Sequence, residues 1–305
     1  MKHSNDNNKP LITVGMPLYN ADEFLVPVLE SLVNQSFKNF ELIISDNAST
    51  DGSAEICKSY AAKDARIKYI RQAKNIGGAP NFEYVFKAAT GEYYMWAAAD
   101  DIRSSNYLEL NYNFLKNNPS YSASGSPNGF ENWTNGRKLV DFSLEKDNEF
   151  ERYMEFFQNS FQSHGLFYCL FRTQILRDSD LLELIFPGDD WLGFDWATIL
   201  YLASKGKINR TKEGNIIFGV KGTSSSQNIF RLFNDSVIEY FIPFYKLSKF
   251  VVKLSEKLTA WQRLRILYAL IKLNVYANVE PLYQSQKQLL YRIYCRSLKP
   301  IMKFL

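Results

Sequence analysis

Short apolar segments alternate with helical patterns along the first hundred residues, which restricts the chain to few folds. Apolar and β-branched runs predict four strands, at 11–16, 40–45, 67–71 and 92–99. Between them, apolar residues at helical spacing and turn signals predict three helices, at 21–36, 53–62 and 80–89. This alternation is typical of an α/β domain in which a mostly parallel central sheet is flanked by helices.

A polar or glycine-bearing cluster follows each predicted strand. The clusters are PLYN at 17–20, DNASTDG at 46–52, NIGG at 75–78 and DD at 100–101. In open α/β sheets, ligands bind beyond the carboxyl ends of the strands. We therefore expect the four clusters to converge on one site.

The two adjacent carboxylates, Asp100 and Asp101, favour a cation site. Such a pair is costly after a buried strand unless a cation or hydrogen-bond donors neutralise it. Mg²⁺ and Mn²⁺ prefer oxygen ligands and commonly bridge substrate phosphates. The alternative is a pair that caps a helix N terminus. No GxGxxG or GxxxxGK(S/T) motif is present, so dinucleotide-binding and P-loop interpretations lack their signature.

The turn at 46–52 combines carboxylates, an amide and hydroxyls that could bind a nucleoside. The alternative is an ordinary turn that caps the next helix. Tyr19 could stack on a base or pack on the domain edge.

Farther along, Asp189, Asp190 and Asp195 precede or begin a helix predicted over 193–205, and each could deprotonate an acceptor hydroxyl. Acidic residues at a helix start are also favoured by the helix dipole.

The remaining chain suggests a catalytic domain over 1–230 and a basic helical extension over 231–305. Residues 119–138 are rich in Ser, Asn and Gly and predict a loop or lid, and 165–172 predict a strand. The extension has 13 Lys/Arg against 4 Asp/Glu. Its apolar residues fall at helical spacing in two sets: Leu247, Phe250, Val251, Leu254 and Leu258, then Trp261, Leu264, Tyr268, Ile271 and Val275.

This basic extension favours binding to an anionic membrane surface, while packing on the catalytic domain and dimerisation stay open. No nucleic-acid-binding module is recognisable, so no nucleic-acid partner is expected. Cys57, Cys169 and Cys295 are few, odd in number and widely spaced, which fits a reducing compartment. Neither a signal peptide nor a transmembrane stretch is recognisable, and we expect a cytoplasmic protein, peripheral on the inner face of the cell membrane.

Four motifs over about residues 10–105 resemble the nucleotide-binding half of family 2 glycosyltransferases, which have the GT-A fold. In order they are ITVGMPLYN, FELIISDNASTDGS, NIGGAPN and GEYYMWAAADD. The resemblance implies an inverting transferase that moves a sugar from a nucleotide-sugar to a hydroxyl of a glycan or lipid-linked acceptor. UDP is the commoner donor nucleotide in similar chains, with GDP and dTDP open. Bacterial surface polysaccharide synthesis, as of capsule or O-antigen, is the implied setting.

The resemblance also implies roles for individual residues. Asp100 and Asp101 match the end of the DxD motif and imply a divalent metal, Mn²⁺ or Mg²⁺; Ala98 stands where that motif begins with Asp. Asp195 matches the catalytic base, ahead of Asp190, and 220–227 resemble a loop that closes over the donor. The donor nucleotide contacts implied are Pro17, Tyr19, Asn20, Asp46, Asn47, Ser49, Asp51, Asn75, Gly77 and Asp100, with Asn81 near the donor.

Two other classes of function stay open. One is a nucleotide-sugar-binding or scaffold protein with a degenerate site, which Ala98 favours and the intact Asp100, Asp101 and Asp195 disfavour. The other is a nucleotidyltransferase, which would need a phosphate loop rich in Gly, Arg or Lys after the first strand. PLYNADEF is not such a loop.

Overall fold

The computed structural model describes residues 9–132, 138–219 and 237–285. The chain divides into two compact units: Met1–Asp190 with Phe194–Gly222, and Trp191–Gly193 with Thr223–Leu305. The predicted boundary after residue 230 and the motif at 220–227 lie outside the described residues.

The first half of the first unit has the predicted alternation of strands and helices, with ends that differ by up to three residues. Its elements are β1 (Ile12–Leu18), α1 (Asp22–Val33), β2 (Phe40–Asp46), α2 (Ser53–Lys63), β3 (Ile67–Arg71), α3 (Gly78–Lys87) and β4 (Tyr93–Trp96). Both β1 and β2 are buried along their whole length. Continuous burial of this kind is expected of parallel strands that are covered on both faces.

The second half of the unit completes the main sheet and adds a small one. Its strands are β5 (Ile102–Arg103), β6 (Tyr121–Gly125), β7 (Asn128–Phe130), β8 (Leu170–Arg172), β9 (Lys207–Arg210) and β10 (Ile216–Phe218). Its helices are α4 (Tyr107–Asn117), α5 (Glu149–Gln158), a 3₁₀ helix (Ser160–Leu166), α6 (Thr173–Arg177), α7 (Leu182–Ile185) and α8 (Phe194–Lys205).

Seven strands form the main sheet in the order β3-β2-β1-β4-β8-β6-β9, and a three-stranded sheet has the order β5-β10-β7. Only β8 runs antiparallel to its neighbours in the main sheet. In register, Leu18 pairs with Asp46 and Asp46 with Arg71. The first three strands therefore end level with one another, which brings the segments that follow them to one edge of the sheet.

Two sequence predictions in this unit are wrong. Residues 119–138 contain β6 and β7 instead of a loop, because the small polar residues of β6 satisfy their hydrogen bonds internally. Ser124 Oγ donates to Asn111 Oδ1 at 2.8 Å and accepts from Asn209 Nδ2 at 3.0 Å. The predicted strand over 165–172 is a strand only from Leu170, since its apolar beginning is buried in the 3₁₀ helix instead.

In the described part of the second unit the helices are α9 (Val237–Phe241), α10 (Tyr245–Leu254) and α11 (Ala260–Ser285). The predicted apolar face of α10 is buried, but the face predicted for α11 is largely exposed. Instead, α11 buries Ile266, Ala269, Leu270, Leu273 and Ala277. Among the described residues, no helix combines the length and apolar character needed to cross a membrane.

Candidate active site

Both carboxylate oxygens of Asp46, the last residue of β2, accept hydrogen bonds. Oδ1 accepts the N–H of Ser49 at 2.8 Å, and Oδ2 accepts the hydroxyl of Tyr69 at 2.6 Å and the guanidinium of Arg71 at 2.7 Å. Burial alone would raise the pKa of Asp46, but these hydrogen bonds and the charge of Arg71 lower it below its usual value. The ionised carboxylate therefore holds the turn at 46–52 in place.

Asn47 joins this turn to the NIGG segment. Its Nδ2 donates to Asn75 Oδ1 and to the carbonyl of Gly77, both at 2.9 Å, and its Oδ1 accepts the N–H of Ile76 at 2.8 Å. Gly77 has a φ of +96°, a conformation that strains residues with a side chain. Two of the four predicted clusters are thus held together by side-chain hydrogen bonds.

The first loop reaches the same turn. The N–H of Asn20 donates to Ser49 Oγ at 3.0 Å, and Asn20 Oδ1 accepts the N–H of Thr50 at 2.8 Å. Pro17 is buried within β1. Tyr19 is 50% exposed, which leaves its ring accessible to a ligand.

Two residues predicted near the donor have their side chains in structural hydrogen bonds. Asp51 accepts the N–H of Asp22 at 3.1 Å and that of Ser53 at 3.0 Å, so it caps the starts of α1 and α2. Asn81, 2% exposed, donates to the carbonyl of Ser45 at 2.9 Å and accepts the Ser45 hydroxyl at 2.6 Å. Both side chains are therefore used to hold the segments around them.

Asp101 lies buried beyond the end of β4. Its Oδ1 accepts the N–H of Gly219 at 3.3 Å, whereas its buried Oδ2 has no hydrogen-bond partner in the described part of the chain. Burial raises the pKa of Asp101 to about 7, opposed by the charge of the buried Arg103 and assisted by that of Asp100. Gly219 also lies close to the neighbouring Asp100. A Cβ at position 219 would be 2.7 Å from Asp100 Oδ2, so only glycine allows the backbone to come this near to the aspartate pair.

Tyr168, a residue that the sequence did not single out, lies among the carboxylates. It is 8% exposed, and its ring centroid is 5.6 Å from that of Phe218. Burial raises the pKa of Tyr168 well above its usual value, and the charges of Asp101, Asp100 and Asp195 raise it further. Carboxylates from the end of β4 and the start of α8 therefore act on one neutral phenol.

Asp195 is the second residue of α8. Burial raises the pKa of Asp195 to about 6, although the N–H groups of Trp196 and of Asp195 itself hydrogen-bond to the carboxylate. A carboxylate with a pKa near 6 is largely ionised at neutral pH yet more basic than usual. It therefore suits proton abstraction.

Asp190 has a different environment, at the N terminus of α3. Its Oδ2 accepts the N–H of Gly78 at 3.0 Å, and its Oδ1 accepts that of Ala79 at 2.6 Å. The helix dipole stabilises a negative charge in this position. Asp190 therefore fastens the junction of the NIGG segment with α3, with both of its oxygens already bonded.

The residues present fit a divalent cation. Asp100 and Asp101 offer the two carboxylates with which Mg²⁺ and Mn²⁺ sites are commonly built, substrate phosphates completing the coordination. The buried Asp101 Oδ2 without a hydrogen-bond partner is the kind of atom that a cation would satisfy. Within the described residues, no group of three or more His, Cys, Asp or Glu side chains could hold a metal ion without substrate.

Sequence comparison identifies relatives that share part of the chain. EpsE of Bacillus subtilis, which is named as a glycosyltransferase, is 37% identical over 121 residues, 39% of this chain and 44% of EpsE. The poly(ribitol-phosphate) β-glucosyltransferase of Bacillus spizizenii is 35% identical over 141 residues, 45% of this chain and 22% of that protein. The chain thus spans less than half of the length of either relative.

Solved structures share the fold. The crystal structure of TarS 1–349 from S. aureus covers 91% of this chain and 92% of its own, with a TM-score of 0.58 and 17% sequence identity. The mannosyltransferase PcManGT from Pyrobaculum calidifontis, in complex with GDP-Man and Mn²⁺, covers 96% of this chain and 80% of its own, with a TM-score of 0.57 and 15% identity. These neighbours confirm the predicted GT-A-like architecture.

The sequence profile of Glycosyl transferase family 2 matches residues 13–184, more than half of the chain. The match covers the first loop, the turn at 46–52 and the NIGG segment, which hydrogen bonds join, and the aspartate pair that follows β4. The family resemblance found in the sequence is therefore confirmed, and this chain belongs to glycosyl transferase family 2.

Proposed function

We propose that the chain is an inverting glycosyltransferase that moves a sugar from a nucleotide-sugar, with UDP the first choice of nucleotide, to an acceptor hydroxyl. Two observations carry this proposal: Asp100, Asp101 and Asp195 all act electrostatically on the one buried phenol of Tyr168, and the loops after β1, β2 and β3 are fastened to one another. Such an arrangement offers a base and a cation site next to a nucleotide site.

Asp195 is the proposed base. It accepts the proton of the acceptor hydroxyl while the acceptor oxygen forms a bond to the anomeric carbon of the donor. The bond from that carbon to the diphosphate oxygen breaks, and the nucleoside diphosphate leaves with the electron pair. Because the attack and the departure occur on opposite faces in one step, the anomeric configuration inverts.

The nucleotide is proposed to lie along the edge formed by the first loop, the turn at 46–52 and the NIGG segment. Tyr19 offers an exposed ring on which the nucleobase could stack. Asp46 and Asn47 support the turn that would face the nucleobase. Pro17, Asn20, Ser49, Asp51, Asn75 and Gly77 shape this edge through the backbone and the hydrogen bonds described above. Tyr168 stays protonated, so it can donate a hydrogen bond to a substrate oxygen.

Asp100 and Asp101 would hold a divalent cation, Mn²⁺ or Mg²⁺. Bound there, the ion would supply positive charge beside the leaving diphosphate. PcManGT, which shares the fold, is described with GDP-Man and Mn²⁺, and this supports the same class of cofactor here. Because Ala98 replaces the first carboxylate of the motif, the site depends on these two residues and on the donor phosphates.

The acceptor is proposed to be a glycan or a lipid-linked glycan in bacterial surface polysaccharide synthesis. Support comes from the poly(ribitol-phosphate) β-glucosyltransferase of Bacillus spizizenii, whose name states a polymer acceptor. A cytoplasmic location stays a prediction.

The proposal is tested by the release of nucleoside diphosphate from UDP-, GDP- and dTDP-sugars with Mn²⁺ or Mg²⁺. The chain should hydrolyse one donor class slowly without acceptor, and proton NMR should show inversion at the released sugar. Asp180→Asn, a change at an exposed carboxylate of the same unit, is the matched control. Metal-independent binding of nucleotide-sugars with no turnover of any of them would favour the degenerate-site alternative.

A further inference from the structure

Helix α11 has two apolar faces, and within 9–132, 138–219 and 237–285 only one of them is covered. The covered face contains Ile266, Leu270 and Leu273, which are at most 6% exposed. On the opposite side, Trp261 is 65% exposed and Ile271 61%. A surface helix of a globular protein normally carries polar residues opposite its buried face, so this second apolar face is unusual.

The exposed residues form one continuous stripe. Leu264 and Leu267, 58% and 43% exposed, lie between Trp261 and Ile271 along the helix. At 3.6 residues per turn, all four side chains project within an arc of about 120° and over a length of about 15 Å. This set of four is called the α11 stripe below. Exposed apolar patches of this kind mark surfaces that bind a protein, a ligand or a membrane.

Basic residues flank the α11 stripe on both edges. By helical position, Arg263 lies on the border next to Leu267, while Arg265 and Lys272 lie on the opposite border, on the side of Trp261. All three basic residues are exposed, and the sequence from 260 to 279 contains no Asp or Glu. On α11 itself, both borders of the stripe are therefore positive.

We propose that the α11 stripe is a docking surface for a membrane that contains anionic lipids, with α11 lying in the plane of the interface. An apolar stripe with Trp, bordered by Lys and Arg, is the pattern of interfacial helices. The long basic side chains can extend to lipid phosphates while the apolar groups enter the acyl boundary. Positive charge on both borders favours an anionic lipid surface over a second copy of this equally basic helix, since two copies would repel.

This inference stands apart from the transferase proposal, because vesicle binding is measured without donor or acceptor. The full chain is sedimented with vesicles of phosphatidylcholine alone and with vesicles that also contain phosphatidylglycerol. We expect binding only to the anionic vesicles, and weaker binding at high salt because exposed charges are screened. Equal binding to both kinds of vesicle, or no binding at low salt, would overturn the proposal.

Two variants locate the surface. Leu264→Gln with Ile271→Gln should lower partitioning by at least about tenfold, because two apolar groups no longer leave water. Arg263→Gln with Lys272→Gln should lower it by about fivefold for each charge removed. The control is Val26→Gln on α1, at a side chain that is 43% exposed. Thermal melting should be unchanged in all three, since the substituted side chains are exposed.

Self-association is measured in parallel by analytical ultracentrifugation. The proposal expects a concentration-independent mass for the wild type and for the Leu264→Gln, Ile271→Gln variant. A dimer that this variant abolishes would assign the stripe to a second copy and would contradict membrane docking. Membrane docking would also be contradicted if this variant bound anionic vesicles as strongly as the wild type does.

Discussion

Two proposed regions lie in the same unit but are built in opposite ways: the donor edge, formed by the first loop, the turn at 46–52 and the NIGG segment, and the transfer centre, formed by Asp100, Asp101, Tyr168 and Asp195. At the donor edge, Asp46 and Asn47 have their polar atoms bonded within the protein, and the pKa of Asp46 is lowered. At the transfer centre, Asp101 has a buried oxygen without a hydrogen-bond partner in the described residues, and burial raises the pKa values of Asp101 and Asp195 to about 7 and about 6.

The difference indicates where each region obtains its stabilisation. A fully bonded network is rigid and costs little to maintain, so it suits the recognition of a nucleotide of constant shape. Buried carboxylates without sufficient partners are unfavourable until a cation or a substrate arrives. We therefore expect substitutions at the transfer centre to change catalysis, and substitutions at the donor edge to change stability and affinity.

The largest effect is expected at Asp195, and it separates the two regions most sharply. Asp195→Asn should lower turnover by about 10²–10⁴-fold, since an amide cannot accept the proton, while affinity for the donor nucleotide stays within about twofold. Asp190→Asn should keep most of the turnover, because Asp190 bonds to Gly78 and Ala79 instead. Single-turnover rates are compared for both variants. A greater loss of turnover in Asp190→Asn than in Asp195→Asn would reverse the assignment of the base.

Asp100→Ala should lower turnover by about 10²–10³-fold, through loss of the charge that a cation supplies to the leaving group. Its residual activity should no longer respond to added Mn²⁺. A metal titration of the initial rate measures this, with Asp180→Asn as the control. An unchanged response to Mn²⁺ in Asp100→Ala would remove Asp100 from the cation site.

Asp46→Asn tests the donor edge. The amide nitrogen cannot accept the hydrogen bond from Arg71, so the free energy of unfolding should fall by about 1–3 kcal/mol. Urea denaturation measures the change. Glu55→Gln, at an exposed side chain in a surface pair with Lys58, should change it by less than about 0.5 kcal/mol. If Asp46→Asn and Glu55→Gln changed the free energy of unfolding equally, the hydrogen bonds of Asp46 would not hold the turn.

Lowering the pH should affect the regions differently. Asp195 works as a base only when ionised, so kcat should fall about tenfold per unit once the pH drops below about 6. Asp46 has a lowered pKa, so its contribution to stability is lost only when the pH falls through that lower value. Near-UV circular dichroism should therefore stay constant at about pH 5, where activity is lost. Coincident loss of both signals would contradict this separation.

The donor edge could largely be predicted from the sequence because it depends on local chemistry. Each cluster directly follows an apolar strand, and the parallel register that brings Leu18, Asp46 and Arg71 level follows from the fold. The bond from the N–H of Ser53 to Asp51 spans two residues and agrees with the alternative of a turn that caps the next helix. The sequence could not show the bonds from Asp22 to Asp51 and from Ser45 to Asn81, which join residues 29 and 36 positions apart.

The transfer centre was harder to predict because it depends on contacts distant in the sequence. Gly219 reaches Asp101 across 118 residues, through the pairing of β10 with β5. Tyr168 lies in the apolar run at 165–172, which predicts a strand. No feature of the neighbouring sequence distinguishes this tyrosine from an aromatic residue of the core. On α11 the predicted face shares Trp261, Leu264 and Ile271 with the exposed stripe, but periodicity cannot tell a buried face from an exposed one.

A thermal-shift screen of UDP, GDP, dTDP and CMP, each with and without Mn²⁺, tests most directly whether the donor edge and the aspartate pair form one nucleotide site. A ligand that binds the native state raises the melting temperature by mass action. We predict a metal-dependent increase with a single nucleoside diphosphate, and loss of the metal dependence in Asp100→Ala. An absence of any shift with all four nucleotides would contradict the transferase assignment and favour a degenerate site.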